Sequence, residues 1–292
     1  GWGRADSPEG LESAWNEARR EALSAFGCDD VYLEKFLTGA RHIEFQVLAD
    51  SWGNAVHLFE RECSIQRRHQ KLLEEAPSTA IDEATRMTMG ARVAAAAAAV
   101  GYVGAGTVEF LQDVATGELH FIEMNTRLQV EHPVTEMVTG IDLVEAQIRI
   151  AAGERLWFTQ DDLSLDGHAI ELRLNAEDVD DGFRPVPGHL KRFEIPTIPE
   201  GDGRLRVDAA VGQGCSVSPY YDSMIAKLIG WGEDRAQAIA VCRSALDGLV
   251  IEGVPTTAAL HRAILAAPDF VAGDLLVGRI PGRPDLNEIE ES

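Results

Sequence analysis

The sequence predicts an α+β fold. Apolar and polar side chains alternate along several short runs in both halves of the chain, as in strands that bury one face. Turn residues separate some of these runs closely enough for hairpins. Segments with apolar residues at helical spacing lie between the strand-like runs. Strands and helices interspersed in this way, within 292 residues, are typical of an α+β protein with a sizeable core.

One helix is marked by the residues at its ends. Ser7 caps the first helix, Pro8 suits its first turn, and Gly27 ends it. An alanine-rich second helix is expected over residues 82–100. Further helices are expected near 143–152 and over 234–249 and 256–267, and strands over 31–37, 42–48, 55–63, 107–112, 119–125, 168–175, 190–195 and 204–210.

Composition and charge limit the partners of the protein. The chain has 26 Lys and Arg against 48 Asp and Glu, a net charge of −22, which repels nucleic-acid phosphates and anionic membranes. No run approaches the roughly 20 apolar residues of a membrane span, and the N-terminus lacks a signal-peptide pattern. Four widely spaced cysteines favour free thiols over zinc or disulfides. We therefore expect a cytoplasmic protein that binds neither nucleic acid nor membrane. The scattered acids also support a hypothesis of salt adaptation.

The hairpin formed by the strands 107–112 and 119–125 carries the most specific polar pattern. Ile122 and Met124 share one face of the second strand, so Glu123 and Asn125 share the other. Glu109 on the first strand points to the same side as this polar pair. Two carboxylates and an amide suit Mg²⁺ held together with substrate phosphates. The alternative is a pair of solvated acids on an exposed face, which would repel each other without a cation.

The residues that follow this hairpin extend the polar set. Arg127 offers a bidentate fork for a planar anion, and Glu131 can act as a general base where its surroundings position it. Gln129 and His132 lie between and beside them with almost no apolar filling. A metal pair, an anion fork and a base so close together indicate phosphoryl transfer or carboxyl activation.

A second polar cluster occupies residues 66–71 and includes Gln66, His69 and Lys71. In an acidic chain this concentrated basic segment is a plausible contact for nucleotide phosphates and ribose. The alternative is a solvated basic loop. His42 lies on the polar face of its strand, where an isolated histidine is more often a surface residue than a ligand.

Several blocks of the sequence resemble a known family. Residues 60–71, 104–110 and 123–133 are similar to the signature blocks of biotin carboxylases in the ATP-grasp superfamily, and residues 167–178 and 220–228 resemble the C-terminal domain of that family. The resemblance runs from about residue 31 to residue 265. It implies an antiparallel ATP-grasp sheet with helices, followed by the α+β C-terminal domain.

The resemblance also implies a reaction and a set of residue roles. ATP and bicarbonate would give carboxyphosphate, whose CO₂ carboxylates N1 of a biotin held on a carrier. Mg²⁺ or Mn²⁺ would be held by Glu109, Glu123 and Asn125. Bicarbonate would be bound by Arg127, Gln129 and Val130. Glu131 would be the base and Arg173 would steady the biotin enolate. The ATP site would comprise Glu34, Lys35, Leu37, His42, Gln66, His69, Lys71 and Leu111.

The resemblance divides the chain into a lid-subdomain remnant at 1–37, a catalytic lobe at 38–165, the C-terminal domain at 166–280, and a tail or linker at 281–292. It implies an N-terminal domain and a glycine-rich loop that the sequence lacks. The implied partners are a biotin carrier domain, a carboxyltransferase subunit and a second copy of the chain. Two alternatives are another bicarbonate-activating ligase, similar to carbamoyl-phosphate synthetase, and a non-catalytic assembly module.

Overall fold

The computed structural model describes residues 3–199 and 201–288. The chain divides into two compact units, the first ending at Gly39 and the second comprising Ala40–Glu288.

The first unit contains helix α1 (Pro8–Phe26). The Ser7 side chain accepts a hydrogen bond from the Gly10 N–H at 3.3 Å, and Gly27 ends the helix in the left-handed conformation with φ of 72°. Both helix ends predicted from the sequence are therefore confirmed. The strand predicted over 31–37 is wrong: the segment forms no strand and most of its side chains are exposed. The prediction rested on an apolar run, and the segment pairs with no strand among the described residues.

The second unit is built on an eight-stranded antiparallel sheet in the order β11-β13-β6-β3-β2-β1-β4-β5. Neighbouring strands in this order pair antiparallel throughout. Three two-stranded sheets accompany it. The strands are β1 (Ala40–Ala49), β2 (Ala55–Arg67), β3 (Gln70–Ala76), β4 (Gly104–Asp113), β5 (Leu119–Asn125), β6 (His168–Asn175), β7 (Glu177–Asp178), β8 (Arg184–Pro185), β9 (Gly188–His189), β10 (Arg192–Glu194), β11 (Arg204–Ala209), β12 (Ser216–Val217), β13 (Met224–Gly232) and β14 (Val250–Glu252).

Helices cover parts of this sheet, and the predicted long helices are confirmed. The helices of the second unit are α2 (Glu83–Ala99), α3 (His132–Thr139), α4 (Leu143–Ala151), α5 (Arg235–Gly248), α6 (Ala258–Ala266) and α7 (Pro268–Ala272), with short 3₁₀ turns at Gln160–Asp162 and Pro284–Leu286. Among the described residues, no helix has both the length and the apolar character that crossing a membrane requires.

Strand β1 shows why the site becomes buried. Ile43, Phe45 and Val47 pack against Val93 of α2 in one hydrophobic cluster. The opposite face of β1 was expected to be an exposed polar face, yet every residue of the strand is buried. Because β1 lies between β2 and β4, the polar side chains of that face are enclosed with charged partners.

Three of the elements that were not predicted from the sequence bear on the site. The basic segment 66–71 is not a plain loop: it contains the end of β2, a tight turn at Arg68 and His69 with positive φ, and the start of β3. Helix α3 replaces the loop expected after Glu131. Strand β13 is central in the second half of the sheet. Its residues are buried on both faces, so it lacks the alternation used to find strands.

The segment predicted as a tail, 281–292, is described as far as Glu288. The Asn287 side chain accepts a hydrogen bond from the Ile280 N–H at 2.8 Å. The Glu288 N–H donates to the Gly278 carbonyl at 2.8 Å, and the Glu288 side chain accepts from the Arg68 N–H. Leu286 packs against the main hydrophobic core. Residues 281–288 are therefore part of the second unit.

Candidate active site

A row of charged side chains crosses four neighbouring strands of the sheet. Glu44 on β1 is the register partner of Arg61 on β2 and of Glu109 on β4. Glu109 is in turn the register partner of Glu123 on β5. Directly opposed residues of antiparallel strands point to the same face, so this row is a property of the strand register. It brings three carboxylates and a guanidinium to one face.

The predicted metal ligands lie together at the β5 end of this row. The Asn125 Nδ2 donates to Glu109 at 3.0 Å and to Glu123 at 3.2 Å. The Arg127 Nη2 donates to the Asn125 Oδ1 at 3.3 Å. Two carboxylates joined by one amide form a set of hard oxygen donors that fits Mg²⁺ or Mn²⁺. His42 Nε2 lies 3.0 Å from the other oxygen of Glu109.

Lys71 lies among three carboxylates and offsets part of their negative charge. Its Nζ lies 2.6 Å from Glu44, 2.6 Å from Glu131 and 3.2 Å from Glu109. Burial opposes ionisation of Glu44, but Lys71 and Arg61 outweigh it and lower the pKa of Glu44 to about 2. Burial likewise opposes ionisation of Glu109, but His42 and Lys71 lower its pKa. Glu44 and Glu109 are therefore ionised at neutral pH although the surrounding residues bury them.

Arg61 forms the floor of the site. Its side chain is fully buried. Its guanidinium donates to Glu44 at 2.6 Å and to Gln129 at 3.0 Å. Gln129 links Arg61 to Glu109, because its Nε2 donates to Glu109 at 2.7 Å. Further acceptors of Arg61 are Gln46 at 2.8 Å, Thr135 at 2.9 Å and Thr107 at 3.3 Å.

Glu131 lies between two cations. Its Oε1 accepts from Lys71 at 2.6 Å and its Oε2 accepts from Arg173 at 2.9 Å. Arg173 also donates to Glu74 at 2.7 Å. Glu131 immediately precedes helix α3, and its side chain is buried. The predicted base and the predicted biotin-contacting arginine, 42 residues apart, therefore form an ion pair.

The other predicted site residues differ in their burial and in the contacts they make. The Gln66 Nε2 lies 3.3 Å from the His42 Nδ1, and Leu111 is the half-buried register partner of His42. His69 is exposed in the turn between β2 and β3. The Val130 carbonyl accepts from Lys227 at 2.7 Å. Glu34 and Lys35 are exposed and Leu37 is half-buried, all in the first unit.

Sequence reasoning missed several residues that build this site, namely Glu44, Arg61, Glu74 and Lys227. Glu44 shares one face of its strand with His42 and Gln46, so the same period that identified the hairpin acids could have identified it. Arg61 and Glu74 flank the basic segment within strands whose pairing the sequence does not state. Lys227 lies in the block 220–228, whose resemblance was noted without a role for the lysine.

The fold and this face define an ATP-binding ligase domain joined to a second domain, and sequence comparison gives the same division. Residues 1–159 match the family model described as "Carbamoyl-phosphate synthase L chain, ATP binding domain". Residues 171–281 match the model described as "Biotin carboxylase C-terminal domain". The second match separates the chain from ligases that share only the first. The chain belongs to the biotin carboxylase family of ATP-grasp proteins.

Named relatives and solved structures agree with this assignment. The chain is 53% identical to a biotin carboxylase of Nostoc over 92% of the chain and 59% of the relative. It is 50% identical to biotin carboxylase 1 of Bacillus subtilis over 92% of the chain and 59% of the relative. The biotin carboxylase domain of Hydrogenobacter thermophilus 2-oxoglutarate carboxylase, a dimer complexed with MgADP, ADP and bicarbonate, superposes with a TM-score of 0.87. That match has 47% identity over 97% of this chain and 61% of the other. The chain thus spans about three fifths of these relatives.

Proposed function

We propose that the protein carboxylates biotin on a carrier domain, using ATP and bicarbonate. The observation that carries this proposal is the position of Glu131 between Lys71 and Arg173, at 2.6 and 2.9 Å. A carboxylate held by two cations in a largely buried site is positioned to accept a proton. Lys71, which also donates to Glu109 at 3.2 Å, connects Glu131 to the candidate metal ligands. A base, a metal-binding acid pair and an anion fork are the groups that bicarbonate activation by ATP requires.

Metal binding, bicarbonate binding and proton removal are assigned to different residues of the chain. Glu109, Glu123 and Asn125 hold the divalent ion, which neutralises phosphate charge when it is bound. Arg127, Gln129 and the backbone of Val130 bind bicarbonate. Arg127 is exposed, so its guanidinium is free to turn from Asn125 toward an anion. Glu131 takes the bicarbonate proton as the bicarbonate oxygen attacks the γ-phosphorus of ATP and ADP leaves.

The second stage uses the same face of the sheet. The carboxyphosphate formed in this way breaks into CO₂ and phosphate. The released phosphate takes the proton from N1 of biotin, and N1 then bonds to the CO₂ carbon. Arg173 stabilises the negative charge on the biotin ureido oxygen. Burial opposes the charge of Arg173, but Glu74 and Glu131 raise its pKa, so this guanidinium stays charged throughout. In the second unit the nucleotide is contacted by His42, Gln66, His69, Lys71 and Leu111.

The proposal extends to domains and partners. Residues 1–37 belong to the lid subdomain, 38–165 to the catalytic lobe, 166–280 to the C-terminal domain, and 281–292 to a tail or linker. A biotin carrier domain, a carboxyltransferase and a second copy of the chain are the partners, supported by relatives named as carboxylase chains and by the dimer named in a similar structure. Buried free thiols at Cys63 and Cys242 suit a reducing compartment such as the cytoplasm.

The test is bicarbonate-dependent ATP cleavage by the intact protein, measured with and without free biotin. The proposal predicts cleavage that needs bicarbonate and rises when biotin is added. ATP cleavage that is independent of biotin and forms a carbamoyl product from an ammonia donor would instead favour the carbamoyl-phosphate synthetase-like alternative. Titration calorimetry with Mg-ATP separates the non-catalytic alternative, because an assembly module would release no heat of nucleotide binding.

A further inference from the structure

A buried lysine of the C-terminal half contacts the backbone beside the candidate base. Lys227 lies on β13, and its Nζ donates to the Val130 carbonyl at 2.7 Å. That carbonyl belongs to the peptide unit that joins Val130 to Glu131. Because a peptide unit is planar, holding its carbonyl oxygen fixes the plane that enters Glu131. Lys227 and Val130 are 97 residues apart in the sequence, so the contact is made only by the folded sheet.

The strand register holds Lys227 in place. Lys227 is the register partner of Arg173 on β6 and of Asp208 on β11. Asp208 Oδ2 lies 3.6 Å from the ammonium and is itself held by Arg206 at 2.8 Å. Arg206 also pairs with Glu136 of α3. The helix that follows Glu131 and the peptide that precedes Glu131 are therefore both tied to the same edge of the sheet.

The charges around Lys227 argue against a simple packing role. Glu171 on β6 has its nearest carboxylate oxygen 4.0 Å from the ammonium. Both oxygens of Glu171 are buried and lack a hydrogen-bond partner among residues 3–199 and 201–288. Burial and then the neighbouring Glu74 raise the pKa of Glu171, which weakens its competition for the ammonium. Burying an ammonium is unfavourable, and here its closest contact is the Val130 carbonyl.

We propose that Lys227 is a positioning residue for bicarbonate activation, acting through the Val130 carbonyl to hold Glu131 in line with Lys71 and Arg173. This inference rests on the proposed function for the identity of the reaction, but its geometric part can be measured separately. Lys227 orients the segment 127–131 without touching the reacting atoms. Its removal leaves the base present and allows the peptide that carries it to rotate.

The experiment compares Lys227→Met, Lys227→Arg and the surface control Lys191→Met in the intact protein. Lys227→Met keeps the aliphatic stem and removes the donor. We expect the kcat of bicarbonate-dependent ATP cleavage to fall about tenfold to a hundredfold, the effect of losing one charge-assisted hydrogen bond. The KM for ATP should not change. Lys227→Arg should recover part of the loss because a guanidinium can still donate, and Lys191→Met should behave as wild type.

Hydrogen–deuterium exchange of the backbone amides of residues 129–132 tests the positioning itself, without any turnover. Exchange there should accelerate in Lys227→Met and stay unchanged in Lys191→Met, with α5 as an internal reference. Unchanged exchange at these amides, or wild-type kcat in Lys227→Met, would overturn the inference. Inactive wild-type protein would instead contradict the proposed function, and the exchange experiment would still decide whether Lys227 holds the segment.

Discussion

Replacing Arg61 by methionine tests the buried charge network most severely. Arg61 lies under the site with no exposed side-chain area, as does its partner Glu44. The substitution keeps a long apolar side chain but removes the guanidinium. Glu44 then retains Lys71 at 2.6 Å and loses its other cation, while Gln46 and Gln129 lose the donor to their side-chain oxygens.

The magnitude follows from breaking one partner of a buried ion pair, which costs about 3–5 kcal/mol because the remaining charge stays buried. We expect Arg61→Met to lower the free energy of unfolding by this amount, towards the lower end because Lys71 remains. Glu44→Gln added to Arg61→Met should recover part of the loss, since the orphaned charge is then gone. Lys71 tolerates that second change because Glu131 and Glu109 still accept from it.

The assay is urea unfolding at neutral pH, followed by circular dichroism, for wild type, both single variants and the double variant. Arg184→Met is the matched control, because Arg184 pairs with Asp181 on the surface and its loss should leave the urea midpoint unchanged. A loss below about 1 kcal/mol for Arg61→Met would refute the reasoning. So would a double variant as unstable as the sum of the two single variants.

Three further predictions concern metal, pH and salt. Glu109→Gln should weaken Mn²⁺ binding at least about tenfold because one of two charged ligands is lost. Glu118→Gln, in the exposed turn of the same hairpin, should bind Mn²⁺ with wild-type affinity. Equal affinities of the two variants, measured by electron paramagnetic resonance of free Mn²⁺, would contradict the metal assignment. Glu171 faces Glu74, Lys227, Arg173 and Glu131, and its pKa is raised in the folded protein. The protonated carboxyl therefore contributes to stability below pH 4.5, and this contribution is lost as the pH rises toward the folded-state pKa. The advantage of Glu171→Gln over wild type in urea should therefore grow as the pH rises above 4.5, by at most about 1.4 kcal/mol per pH unit. An advantage that stays constant would count against it. If the net charge of −22 reflects salt adaptation, the Tm should rise between low and molar KCl, and a flat or falling Tm would remove that hypothesis.

The sequence predicts what depends on local periodicity. Alternation along β4 and β5 was sufficient to place Glu109 and Glu123 opposite each other, and the register confirms it. A short apolar run also predicted a strand over 31–37, where the described residues form none. Alternation is necessary for a half-buried strand, but pairing depends on segments elsewhere in the chain.

The sequence alone does not show which residues far apart along the chain come into contact. Lys71 was predicted to contact nucleotide, but no local pattern indicates that it contacts three carboxylates from β1, β4 and the start of α3. Arg173 reaches Glu131 because β6 lies beside β3 in the sheet. The order of strands in a sheet is set by the burial of whole faces, so these contacts follow from the tertiary fold.

Carboxybiotin formation by Glu131→Gln is the most direct measurement of the central claim. The intact protein is supplied with ATP, labelled bicarbonate and free biotin, and label in biotin is counted for wild type, Glu131→Gln and the surface control Glu118→Gln. If Glu131 is the base, its amide variant should lose label incorporation by orders of magnitude while Mg-ATP affinity and the control remain normal. Near-normal labelling by Glu131→Gln would mean that the carboxylate between Lys71 and Arg173 does not take the proton.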